Sequence, residues 1–280
     1  MPLLFSMRFG RVGLMKDTST HAIIRIGPAG SNGRGYLKGI EEVARLGLDC
    51  MEVEFVYGVR LKPELAEALG ALADQHGIML SVHAPYYINL AAYEEAKIVA
   101  SRQRILDSCH RAHLMGARQV VFHAGFYQKR TPRETYDLIR TQIVGLQKQI
   151  RRAAWKVDLC PEITGKPSQF GSVAELRALM QDTGCGLTVD FAHLYARQQG
   201  VIDYEALMPH LPDSFHAHFS GIEFTAKGEK RHIRMRPAYF RPLLDALVRH
   251  RKQVTIICET PEPYEDAVMM KAMVPRPTQR

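Results

Sequence analysis

An eightfold alternation constrains this chain more than any other feature. Short apolar or β-branched runs recur as IIRIG from Ile23, DCMEVEF from Asp49, MLSVHAP from Met79, QVVFHAG from Gln119, DLCPEITG from Asp158, CGLTVDF from Cys185, FHAHFSG from Phe215 and VTIICET from Val254. Between and after them lie stretches with helical spacing of apolar residues, such as GYLKGIEEVARLG, KPELAEALGALADQHG, the run from Tyr93 to Met115, TPRETYDLIRTQIVGLQKQI, SVAELRALMQ and PAYFRPLLDALVRH. Strands joined through helices pair in parallel, because each crossover returns the chain to the same end of the sheet. Eight such units predict an α/β chain with a single domain, a (β/α)8 TIM barrel with its helices outside.

Local signals agree. Thr131 before Pro132 and Ser172 before Val173 read as helix N-caps, and Gly47, Gly77 and Gly116 sit where helices should stop. The glycine-rich segment GPAGSNGRG, residues 27 to 35, fits neither the dinucleotide nor the P-loop spacing, so it reads as a βα turn that could line a site. Without a dinucleotide fingerprint after the first strand, closure is preferred to an open sheet. The chain has 280 residues. We assign 1–22 to an N-terminal extension, 23–273 to the barrel and 274–280 to a C-terminal tail.

Composition narrows the setting. Hydrophobic residues make up 46% and charged residues 24%, enough to bury a sizeable core and against disorder. The segment MPLLFSMRFGRVGLM is interrupted by Arg8 and Arg11 and lacks a small-residue cleavage site, so it does not read as a secretory signal. No apolar run approaches the roughly 18 residues of a membrane span. Cys50, Cys109, Cys160, Cys185 and Cys258 form no CxxC pair, and four lie in strand-like runs, so we expect buried, reduced thiols in a cytoplasmic protein. A net charge of +8 would attract polyanions such as nucleic acid.

The chemistry lies in where the metal-type side chains fall. His83, His123, Glu162, Asp190, His218 and Glu259 come at the carboxyl ends of the third to eighth strands. In a barrel those ends form one rim, the face that carries active sites. Three carboxylates and several imidazoles crowded there would repel or stay unsatisfied unless cations neutralised them. Mixed imidazole and carboxylate donors suit Zn2+ first, with Mn2+ or Fe2+ as alternatives. More than four donors exceed what one ion can use, so a carboxylate bridging two ions is expected. His193, three residues beyond Asp190, and His232, in the segment GEKRHIR, extend the set. His216 shares the strand parity of His218 one layer deeper and reads as a core histidine, while His110 and His113 read as packing residues on a helix.

VHAPY (82–86), FHAG (122–125), PEITG (161–165), VDFAH (189–193), HFSGIE (218–223), KRH (230–232) and ETPEP (259–263) together resemble the endonuclease IV family. The resemblance implies a barrel with a trinuclear zinc site that cleaves double-stranded DNA 5′ to an abasic nucleotide and leaves a 3′-OH. It implies His83, His123 and Glu162 on one zinc, Glu162, Asp190, His218 and Glu259 on a second, and His193 and His232 on a third. Tyr86 would enter the DNA beside the lesion. Glu162 or Glu259 would act as the catalytic proton acceptor, and Lys129, Arg130 and Arg231 on the basic loops YQKRTPR and KGEKRHIRMR would meet phosphates. We expect a monomer acting on DNA, with no membrane partner. Two residues before His232, where the family pattern has an Asp, this chain has Lys230; Glu229 or Glu223 would then have to complete the third site. Two other readings compete: a metal-dependent sugar isomerase or epimerase of the xylose isomerase-like barrel group, which shares Glu162, Asp190, His218 and Glu259, and a non-catalytic basic DNA-binding barrel.

Overall fold

A computed structural model describes residues 21–275. The segments assigned to an extension and a tail lie outside the described residues, apart from His21, Ala22, Val274 and Pro275. Eight parallel strands follow one another around a barrel: β1 (Ile23–Pro28), β2 (Cys50–Glu54), β3 (Met79–His83), β4 (Gln119–Phe122), β5 (Asp158–Pro161), β6 (Thr188–Asp190), β7 (Ser214–Phe219) and β8 (Gln253–Cys258). They form two four-stranded arcs, β2-β3-β4-β5 and β6-β7-β8-β1. Single parallel bridges, Ala29 to Glu52 and Glu162 to Thr188, join the arcs and close the barrel.

Each seam holds a glycine. A Cβ on Gly27 would stand 1.7 Å from the Cys50 carbonyl oxygen, and one on Gly186 would stand 2.7 Å from Cys160 Sγ. The closing strands approach closely only because both positions lack a side chain.

Strand periodicity sorts the side chains. On β7, Phe215, Ala217 and Phe219 face the helices, with Phe219 packed at 5.0 Å on Phe240 of the helix Pro237–Arg249. His216 and His218 alternate with them and point into the barrel, where they meet Glu52. Fully buried Ile40, Leu69, Ile105, Ile139, Leu146 and Leu243 belong to the one large cluster that packs helices on sheet. Burying a side chain of this size stabilises the fold by about 1.5–3 kcal/mol, so this layer carries the stability while the interior is free to be polar.

Thr131 and Ser172 each make a full capping box, with Glu134 and Glu175, and Gly77 ends its helix in the left-handed conformation at φ 67°. All five cysteines are buried and unpaired. The sequence pattern missed several elements, among them the helices Phe191–Arg197, Tyr204–Leu207 and Pro263–Met273, the short pair Gly125–Phe126 with Gln169–Phe170, and a β-hairpin, Gly221–Thr225 with Gly228–Ile233, where a loop was expected. The first helix has only seven residues, and the hairpin strands are short and polar, so neither carries a long apolar period. No helix among the described residues is long and apolar enough to cross a membrane.

Candidate metal centre

The carboxyl ends of β3 to β8 converge on one cluster. Glu162, just past β5, is 1% exposed and stands at its centre. Its Oε2 lies 3.1 Å from His83 Nε2 and 2.9 Å from His123 Nε2. Its Oε1 lies 3.1 Å from His218 Nδ1 and 3.3 Å from His193 Nδ1. The two oxygens of one carboxylate thus serve two separate imidazole pairs. Glu259 Oε1 stands 3.2 Å from His218 Nδ1. His232, on the hairpin, places Nε2 3.3 Å from His193 Nε2 and Nδ1 2.9 Å from the Glu259 carbonyl oxygen.

Local structure aims these groups. Asp190 ends β6 and caps the helix Phe191–Arg197: its Oδ1 accepts the His193 N–H at 2.7 Å. That bond ties the cap to the histidine one turn later, so both side chains face the cluster. The Asp190 Oδ2 atom is left 3.0 Å from His193 Nδ1.

The donors sort into overlapping groups whose ligand atoms lie within 4.8 Å of one another: His83, His123 and Glu162; Glu162, Asp190, His218 and Glu259; and Asp190, His193 and His232. Asp190 Oδ2 and Glu229 Oε2 are buried without a hydrogen-bond partner, although imidazole nitrogens stand 3.0 and 3.2 Å away. Short contacts out of hydrogen-bonding alignment, from buried atoms with free lone pairs, are what shared cation donors present. The residues fit divalent metal ions.

Electrostatics points the same way. Burial alone would raise Glu162, but His123 and His218 hold its carboxyl well below the usual range. Burial, reinforced by Glu162 and Asp190 against the pull of His218, pushes Glu259 up to about 8. Burial works against protonating His83, yet Glu162 lifts it to about 9. Without cations, protons take their place in the cluster.

One participant escaped the sequence reading. Glu52, in the middle of β2, is 0% exposed. Its Oε2 accepts from Ser81 Oγ at 2.7 Å and His216 Nε2 at 3.0 Å, and its Oε1 stands 2.9 Å from His218 Nε2. Glu52 therefore addresses the far side of a cluster imidazole. A carboxylate inside an otherwise apolar strand, in register with Glu54, was the available signal. His216 is the satisfied core histidine expected, although Glu52, His216 and His218 also group closely enough to hold an ion. His110 stacks on Trp155 at 5.2 Å, and His113 Nδ1 accepts from the Lys156 N–H at 3.4 Å.

Around the mouth, Tyr86 is 53% exposed and packs its ring 5.6 Å from His83. Lys129 is exposed. Arg130 lies 4.0 Å over the Tyr93 ring and donates to the Ala91 carbonyl. Arg231 forms a two-pronged pair with Glu223 at 2.9 and 2.7 Å, which Lys230 joins at 3.5 Å. Glu223 is thus engaged on the outer face of the hairpin, away from the cluster. The glycine-rich turn lines a 540 Å3 cavity together with Glu54, Tyr86, His232 and Glu259. A second cavity of 240 Å3, lined by His83, His123, Glu162, His193 and Glu229, shares Tyr86, His232 and Glu259 with the first.

Known proteins resemble this chain to different degrees. Residues 40–274 match the family described as the xylose isomerase-like TIM barrel. The chain is 36% identical over 247 residues to an uncharacterized protein of Methanocaldococcus jannaschii, covering 83% of this chain and 89% of that one. It is 25% identical over 210 residues to a probable endonuclease 4 of Metamycoplasma arthritidis, covering 67% and 73%. Among solved structures, endonuclease IV from Thermus thermophilus aligns with a TM-score of 0.66 at 22% identity, over 89% of this chain and 97% of that one. A D-tagatose 3-epimerase-like protein aligns with a TM-score of 0.70 at 18% identity, over 89% and 95%. At these identities the structural likeness is one of fold.

Proposed function

Because the chain belongs to the xylose isomerase-like TIM barrel family, we propose that it is a zinc-dependent endonuclease acting on DNA 5′ to abasic sites and leaving a 3′-OH. One observation carries this reading: three of the four donor groups are joined through Glu162 and Asp190, more donors than a single-ion sugar site uses. The likeness to proteins named probable endonuclease 4 supports it.

In this proposal His83, His123 and Glu162 hold one ion, Glu162, Asp190, His218 and Glu259 a second, and His193 and His232 contribute to a third. When bound, such ions supply Lewis acidity and an acidified water for attack on a phosphodiester. Glu162 would be shared by the first two ions, since its two oxygens face different histidine pairs. Glu259 is the better proton acceptor of the two carboxylates. Its side chain is 11% exposed against 1% for Glu162, and it lines both cavities. Tyr86, standing exposed beside His83, would occupy the space left by the missing base. Lys129 would contact phosphate, while Arg130 and Arg231 would have to exchange their present partners to do so.

The epimerase reading rests on Glu162, Asp190, His218 and Glu259, which suffice for a one-metal site. The two readings separate in one assay: metal-loaded protein is incubated with a duplex carrying a single tetrahydrofuran abasic analogue, with and without chelator. Chelator-sensitive nicking that leaves an extendable 3′-OH is expected. Intact duplex alongside turnover of a ketose would replace the nuclease with the epimerase. Salt-sensitive binding that survives chelation, without nicking, would favour a non-catalytic barrel.

A further inference from the structure

The hairpin that carries His232 is irregular at one position. Gly221, Ile222 and Glu223 pair with Ile233, His232 and Arg231, and then the register shifts so that Phe224 pairs with Glu229. Lys230 is the unpaired extra residue, a β-bulge. Alternation along the partner strand puts Ile222 and Phe224 on one face, so their partners His232 and Glu229 share that face too. Without a bulge, residues 229 and 232 would point to opposite sides.

The contacts follow this geometry. Lys230 turns outward to Glu223 at 3.5 Å. Glu229 turns inward, with Oε2 3.2 Å from His193 Nε2, the atom that also faces His232 Nε2 at 3.3 Å. Glu229 Oε2 is buried and without a hydrogen-bond partner, as is Asp190 Oδ2 at the same group. Lys166 Nζ steadies the other oxygen at 3.4 Å. The loop after β5 makes room for it: a Cβ on Gly165 would stand 2.2 Å from Glu229 Oε2, and the Gly165 carbonyl oxygen accepts the Glu229 N–H at 3.2 Å.

We propose that Glu229, re-aimed by the bulge at Lys230, is the carboxylate that joins His193 and His232 in holding the third divalent cation. The inference rests on the zinc-site reading above and deepens it. The chain has no carboxylate at position 230 and supplies one from the neighbouring residue through a kink. The bulge is needed because Glu229 and His232 are three residues apart, an odd spacing that a regular strand would split between its faces.

Zinc content per folded chain, measured by mass spectrometry after loading and dialysis, tests this without reference to activity, with circular dichroism confirming that each variant is folded. Wild type is expected to hold three ions and Glu229→Gln two. Lys230→Ala should keep three. Deleting Lys230 should also keep three, because Glu229 and His232 would then be two apart on a regular strand. Adding Lys230→Asp to Glu229→Gln should not restore the lost ion. Three ions in Glu229→Gln, restoration by Lys230→Asp, or fewer than three in wild type would each overturn the proposal. Abasic-duplex cleavage by wild type is scored separately: a three-ion protein that fails to nick DNA loses the nuclease reading but keeps this ligand, and a two-ion protein that nicks does the reverse.

Discussion

Replacing Glu52 with Gln should weaken metal binding without touching a metal ligand. Two donors, Ser81 O–H and His216 N–H, already converge on Glu52 Oε2 at 2.7 and 3.0 Å. In the variant the amide oxygen must stay there, which places the amide NH2 at the Oε1 position, 2.9 Å from His218 Nε2. Two donors cannot face each other, so Nε2 must become the acceptor and the imidazole proton moves to Nδ1. Nδ1 is the atom that faces Glu162 at 3.1 Å and Glu259 at 3.2 Å, and once protonated it has no lone pair for a cation. Losing such outer support typically costs about 10–100-fold in metal affinity, or about 1.4–2.7 kcal/mol. Zinc affinity from competition with a chromophoric chelator checks this. A variant that binds zinc within about twofold of wild type refutes the reasoning.

Other perturbations probe different levels of the structure. Glu162→Gln should remove nicking of an abasic duplex while the far-ultraviolet circular dichroism stays at wild type, because one carboxylate faces both imidazole pairs; near-normal turnover would exclude a shared-carboxylate centre. Gly27→Ala forces a Cβ to within 1.7 Å of a backbone oxygen at a barrel seam and should cost at least about 1–3 kcal/mol. At about 2–4 °C per kcal/mol for a chain of this size, calorimetry should show a melting point lower by several degrees. Asp266, 0% exposed, accepts from Arg234 at 2.6 and 2.9 Å and from the Met235 N–H at 3.0 Å, which together outweigh burial and lower its carboxyl below the usual value. A depressed folded pKa stabilises above the unfolded value of about 3.9 and is lost as pH falls through the folded one. Asp266→Asn should therefore melt below wild type at pH 7, and the gap should close as pH drops below the ordinary Asp range; a gap independent of pH would show that the carboxylate charge contributes nothing.

The barrel and most of its rim were legible in the amino-acid pattern. Eight apolar runs separated by helices admit few topologies, and His83, His123, Glu162, Asp190, His218 and Glu259 could be placed together because a closed parallel sheet brings all its strand ends to one side. His193 was legible only from its place three residues beyond the strand-end Asp190; the helix that Asp190 caps, which turns it toward the cluster, emerged in the structure. Other features arise only when the elements pack. Glu52 reads as an ordinary mid-strand polar residue until β2 and β7 face each other across the interior and bring it to His218. Likewise, Glu229 could not be chosen over Glu223 from spacing, because strict alternation puts Lys230, the residue two before His232, on the face of that histidine. A bulge inverts that choice, and it depends on hairpin pairing and on Gly165 of a distant loop, not on any local propensity. Periodicity is a property of one strand; which side chains face each other is a property of how strands meet.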